Sequence, residues 1–235
     1  MLVAAAVCPC PPLLVPEVAA GAAPELDPLR AACLDAVAVL AAARPDRLVV
    51  VGTGDGEYPS GTPGSFRGFG VDLDVRLGEG DSEDVPGTRR LPAPLAVSAW
   101  LLARTGWSAA PVTGLGVAAQ APPGNCLAVG RALAATDERL ALLVMGDGSA
   151  CRDVKAPGYL DERAEGFDAA AARALGAADT AALAALDPAL ATELQAAGRA
   201  PWQVLAGAGE GAGLRGALLY DQAPLGVGYL VAAWS

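Results

Sequence analysis

Cys8 and Cys10 stand one residue apart in Cys8-Pro9-Cys10-Pro11-Pro12, directly after an apolar run. Two thiols so placed can hold a soft metal as thiolates or act as a redox pair. The plainer alternative is a pair of small buried residues behind a proline turn. A second chemically loaded stretch is Gly146-Asp147-Gly148-Ser149-Ala150-Cys151. A carboxylate between two glycines can orient a ligand, accept a proton, bind a cation, or simply close a turn through backbone N–H groups. The third stretch is Gly52-Thr53-Gly54-Asp55-Gly56-Glu57, which lacks the Gly-Lys-Ser/Thr of a phosphate loop. The chain contains no histidine. Ser-His-Asp chemistry is therefore excluded, and Ser149 could be activated only by Lys155, the one lysine. Cys10 as a nucleophile would need its thiol pKa lowered, with Arg67 or Arg152 brought in from elsewhere. Of the other cysteines, Cys33 and Cys126 read as packing residues, and Cys151 neighbours Asp147 and Ser149.

These stretches follow apolar runs that read as buried strands: Leu2 to Val7, Leu48 to Val51 and Leu140 to Met145. Leu26 to Ala43 carries Leu29, Cys33, Val37 and Leu40 at helical spacing between the first two, giving β-α-β and hence a parallel sheet. Ligands of such sheets bind at the carboxyl ends of the strands, so the three loops are expected to converge. Gly52 to Gly70 reads as a long functional loop, Val71 to Leu77 as an edge strand of period two, and Asp81 to Pro92 as polar connection. Helices are expected over Ala93 to Arg104, from a cap at Asn125 to Ala135, over Asp161 to Leu186 in one or two pieces, over Pro188 to Ala197, and from Pro201 through Ala206. Strands Pro111 to Ala118, Leu214 to Tyr220 and Val227 to Ala233 complete the sheet. No tandem repeat or linker breaks the 235 residues, so the expectation is one α/β domain over 1–235, a mostly parallel central sheet flanked by helices.

A net charge of −10 without any Lys/Arg cluster disfavours nucleic acid and anionic membrane as partners. Five irregularly spaced cysteines do not read as a disulfide framework, and Met1 to Val7 lacks the basic flank and the length of a signal peptide or a membrane span. A cytoplasmic protein is expected. One lysine against fifteen arginines, with abundant alanine, is the composition of a high-GC bacterial genome.

The apolar first strand with its Pro-x-Pro-Pro loop, and Met145-Gly146-Asp147-Gly148-Ser149-Ala150 against a Ser-Gly-Asp-x-Ser-His segment, resemble the LigB-like superfamily, which holds the catalytic subunits of class III extradiol dioxygenases and Memo-type proteins. In detail the chain looks most like actinobacterial members. The resemblance spans most of the chain, to Pro224-Leu225-Gly226-Val227-Gly228-Tyr229. It implies an Fe(II) site of two histidines and a glutamate, with a further histidine as acid/base. Here Cys10 stands at the first ligand position, no ligand appears near Thr53 to Asp55, and Ala150 takes the acid/base position. Glu193 and Glu210 are the nearest acids for the glutamate, while Asp147 and Ser149 match the motif. The implied function is a class III extradiol dioxygenase-like protein without the standard Fe(II) site. It would be a pseudoenzyme binding a small molecule or a protein partner in a cleft of Cys8, Cys10, Thr53, Asp55, Glu57, Asp147, Ser149, Ala150 and Cys151. The alternative is an active oxidoreductase or hydrolase, with Asp147, Ser149 and Cys10 catalytic and a thiolate-bound metal drawn from Cys8, Cys10, Asp55, Asp147 and Cys151. A homodimer is a further implication of the resemblance.

Overall fold

The computed structural model describes residues 1–80 and 89–235. In chain order the elements are β1 (Leu2–Cys8), α1 (Pro16–Ala19), α2 (Asp27–Ala42), β2 (Arg47–Thr53), β3 (Gly56–Tyr58), β4 (Pro63–Ser65), β5 (Asp74–Arg76), α3 (Ala93–Thr105), β6 (Val112–Val117), α4 (Pro123–Ala134), β7 (Leu140–Met145), α5 (Arg163–Ala177), α6 (Thr180–Ala184), α7 (Pro188–Glu193), α8 (Arg199–Gly209), β8 (Gly216–Gln222) and β9 (Tyr229–Trp234). Seven strands form one sheet in the order β3-β6-β2-β7-β1-β9-β8. The inner four, β6, β2, β7 and β1, are parallel, and β3, β9 and β8 add antiparallel margins.

The central strands are apolar on both faces because both faces are covered. Ala4, Ala6, Cys8, Leu48 and Val50 pack on one side with α2 and α3. Ala5, Val7, Val49, Val51 and Val144 pack on the other with α4, α5 and α8. The winding follows from this. The chain runs outward from β1 through α2 to β2 and through α3 to β6, always over the first face. It then returns through α4 to β7 over the second face, as a single crossover hand requires. β1 and β7 are therefore neighbours whose exits turn to opposite faces, as are β7 and β2 and β2 and β6, and each such boundary is a switch point where an α/β sheet can open a crevice.

The α/β class, the mostly parallel sheet and its flanking helices agree with expectation. Several local readings are corrected. Gly52 to Gly70 is not one loop, since it contains the end of β2, then β3 and β4. Val71 to Leu77 is not an edge of the main sheet: only Asp74–Arg76 is strand, and it pairs with Pro63–Ser65 in a separate ribbon. Asn125 does not cap α4. The cap position is Pro122 and the helix starts at Pro123, whose fixed φ suits a first helical residue. The helix from Pro188 ends at Glu193, and the next begins at Arg199 and runs on to Gly209. Of the expected connection Asp81 to Pro92, residues 81–88 lie outside the described residues. Among the described residues no helix is long and apolar enough to cross a membrane.

Candidate functional site

β1 and β7 run in register until Cys8 faces Met145, and the Gly146 N–H donates to the Cys8 carbonyl at 3.0 Å. Beyond that point proline decides the geometry. In Pro9-Cys10-Pro11-Pro12 only Cys10 has a backbone N–H, and it donates to Asp147 Oδ1 at 2.7 Å. The carboxylate thus continues the ladder that the backbone has left, bridging the two strand exits at the switch point.

Around this pair the sheet places Cys8 and Cys33 on the α2 side, both fully buried, and Tyr229 from the start of β9, 2% exposed. Asp147 is only partly buried, the most accessible of the group. Desolvation nevertheless dominates its titration: its carboxyl is pushed up to about 6, against the pull of the Cys10 hydrogen bonds. Burial pushes the Cys10 thiol well up, and the Asp147 charge and Cys8 push it further. The Tyr229 phenol is raised by burial and then by Asp147 and Cys10. The Cys10 thiol and the Tyr229 phenol therefore keep their protons at neutral pH, while Asp147 is mostly ionised there and gains its proton as the pH falls through about 6.

That corrects the nucleophile reading of Cys10, whose cations are elsewhere. Arg67 pairs with Asp72 and Asp74 at 2.7 and 2.8 Å, and Arg152 pairs with Asp168 at 3.1 Å. Ser149 is not free to react either. Its N–H and Oγ–H both donate to the two oxygens of buried Asp168, each at 2.7 Å. Gly148 and Gly228 leave the room: a Cβ would lie 2.7 Å from Asp168 Oδ1 at the first and 2.3 Å from Oδ2 at the second. The Asp147–Ser149 stretch is thus one partly exposed carboxylate and one serine that fixes the turn.

The remaining expected cleft residues divide. Thr53 ends β2, paired with Val117 of β6 and two strands away from β1. The chain then folds back as β3 on β6, carrying Asp55 and Glu57 away. The Asp55 side chain is 99% exposed and faces Arg89 at 3.4 Å. Ala150 is buried, its N–H donating to the Leu194 carbonyl at 2.9 Å. Cys151 packs in the core on the opposite face of the sheet, its thiol 3.5 Å from the Gly158 and Leu194 carbonyls. The five proposed metal ligands Cys8, Cys10, Asp55, Asp147 and Cys151 therefore do not form one set, and among the described residues no three His, Cys, Asp or Glu side chains group as a metal site.

Two residues of the arrangement escaped the sequence reading. Asp168 lies on the apolar stripe of α5 with Ala164, Ala171 and Leu175, and an acid at that spacing was the available signal. Tyr229 gave none, because its place depends on β9 lying antiparallel beside β1. A groove of about 610 Å3 runs elsewhere, between β6 and α4, but Arg47 on its wall is already tied to the Leu133 carbonyl at 2.7 Å and to Glu138 at 2.9 Å.

The raised Asp147 carboxyl sets a pH dependence. The fold prefers its protonated form, so the stability it contributes is present below about pH 4 and is lost as pH rises through about 6. Asp147→Asn should therefore stabilise the protein at pH 7.5 by on the order of 1 kcal/mol relative to its effect at pH 4.5, the partial exposure limiting the size. Urea unfolding at the two pH values measures it, and equal effects at both would contradict the assignment.

No family model and no curated protein matches the chain. Among solved structures the fold is similar to a crystal structure of the uncharacterized protein JW3007 from Escherichia coli K12, with 13% sequence identity, 99% of each chain covered and a TM-score of 0.57. That likeness is one of fold.

Proposed function

We propose that this chain is a small-molecule-binding protein on a LigB-like scaffold, a pseudoenzyme whose ligand enters the crevice between the exits of β1 and β7. The observation that carries this reading is the Asp147 carboxyl, held by the Cys10 N–H at the switch point and still partly open to solvent. A carboxylate with one oxygen engaged presents the other to a hydroxyl or ammonium donor of a ligand. The Cys10 thiol and the buried Tyr229 phenol make the wall beside it neutral and weakly polar, which suits an aromatic or aliphatic alcohol better than an anion. Ring cleavage on Fe(II) is not part of the proposal, because the imidazole ligands that its relatives use have no counterpart in a chain without histidine.

Catechol is the probe of choice. Titrated into 15N-labelled protein, it should shift the Cys10 amide resonance saturably, and Asp147→Asn should weaken that binding by about tenfold, the worth of a hydrogen bond to a charged group. Supplied with Fe(II) and air, the protein should leave catechol intact. Ring-opened product, or an unmoved Cys10 resonance, would overturn the reading.

A further inference from the structure

Arg199, the first residue of α8, is 1% exposed. A guanidinium taken out of water is ordinarily met by a carboxylate, because an unmatched buried charge is costly. Arg199 has no such partner among the described residues. Its Nη1 donates to the Ala121 carbonyl at 2.6 Å and to Gln203 Oε1 at 3.0 Å, and its Nη2 donates to the Ala119 carbonyl. Its Nε–H is buried and finds no acceptor. The Cys126 thiol is a further, weak neighbour of the guanidinium. Nε–H alone is without a partner, and with an Nη2 N–H beside it would give a carboxylate a two-point pair.

The same side chain lines a hollow of about 260 Å3 between the loop after β6 and the turn from α7 to α8. The other polar residues of the wall, Gln120, Thr192 and Gln195, are all neutral. The adjacent acid, Glu193, is engaged by Arg163 at 2.6 Å. The hollow also meets the first turn of α8, an eleven-residue helix whose amide end favours negative charge. It lies at the carboxyl-end side of the sheet, because Gly198 just before Arg199 donates its N–H to the Asp147 carbonyl at 2.7 Å. A buried cation without a counter-charge, a helix start and a wall free of acids coincide in one small cavity.

We infer that this hollow is a binding site for a small carboxylate, which supplies the counter-charge to Arg199. The planar guanidinium selects the planar two-oxygen group, and the cavity admits only a compact molecule. The net charge of −10 works against non-specific anion binding elsewhere on the surface, so occupancy would be confined to this one recess.

The test uses the whole chain labelled with 15N, titrated with sodium acetate at constant ionic strength set by sodium chloride. The Arg199 Nε–H and Ala200 amide resonances should shift saturably. Gln195 is exposed, so Gln195→Glu sets a negative charge at the rim without touching the core, and it should weaken acetate by about tenfold or more. Arg199→Lys, where it folds, should retain the charge and lose most of the affinity because the fork is gone. A linear drift shared by the wild type and Gln195→Glu, or saturation by inorganic phosphate but not by acetate, would overturn the proposal.

Discussion

Replacing Asp168 by alanine should cost about 3–5 kcal/mol, the range for removing one partner of a buried, charge-assisted network. The carboxylate is 1% exposed and serves three donors: the Ser149 N–H, the Ser149 Oγ–H and Arg152 Nη1. Truncation leaves the Ser149 groups buried without acceptors, and among the described residues leaves Arg152 with Glu165 at 3.8 Å as its acid. The damage should also reach the crevice, because Gly148 is pinned between Asp168 and the Gly228 carbonyl, and Asp147 is the next residue back. Asp168→Asn keeps the shape and loses the charge, and should cost less, about 1–3 kcal/mol. Urea unfolding gives the energies, and hydrogen exchange at the Cys10 amide gives the effect on the site. A loss below about 1 kcal/mol for the alanine variant would show that the network does not hold the turn.

A comparable loss, about 3 kcal/mol, is expected from adding a single methyl group at Gly130. α4 and α8 meet backbone to backbone there. A Cβ on Gly130 would fall 2.0 Å from the Val204 carbonyl oxygen and 2.6 Å from the Ala208 nitrogen, and one on Gly207 would fall 2.1 Å from the Leu127 carbonyl oxygen. Neither obstacle is a side chain that could turn aside, so the helices must separate and their contact must loosen along its length. Gly124 is the internal control. It lies on the same helix with nothing within 4 Å of its added Cβ, so Gly124→Ala should be neutral or stabilising by up to about 1 kcal/mol. Thermal unfolding of the two variants side by side decides it, and equal melting temperatures would refute the close approach.

The central sheet was legible because each buried strand is a short uninterrupted apolar run, and because α2 shows its inner face through Leu29, Cys33, Val37 and Leu40. The margins were not. Asp74–Arg76 alternates as any edge would, yet its partner is Pro63–Ser65, a pairing that no local pattern announces. The start of α4 was misplaced because Asn125 has the chemistry of a cap, while Pro122 and Pro123 define the first turn by backbone restriction. At the site, the nearness of Cys10 to Asp147 could be anticipated from strand order, since both follow adjacent parallel strands. The departure of Asp55 and Glu57 could not, because it depends on β3 folding back onto β6. Asp168, Arg199 and Tyr229 share one reason for being missed: each is a polar side chain carried inward by tertiary packing, and polarity alone reads as surface.

The placement of β1 bears on how the molecule assembles. It occupies an inner slot between β7 and β9, both distant in sequence, and Cys10 lies 137 positions from its partner Asp147. The slot closes only once both β7 and β9 have joined it, so until then β1 is an apolar ribbon without neighbours. Long-range pairing of this kind slows folding and prolongs exposure to aggregation, and the space between the exits of β1 and β7 takes shape only after that pairing.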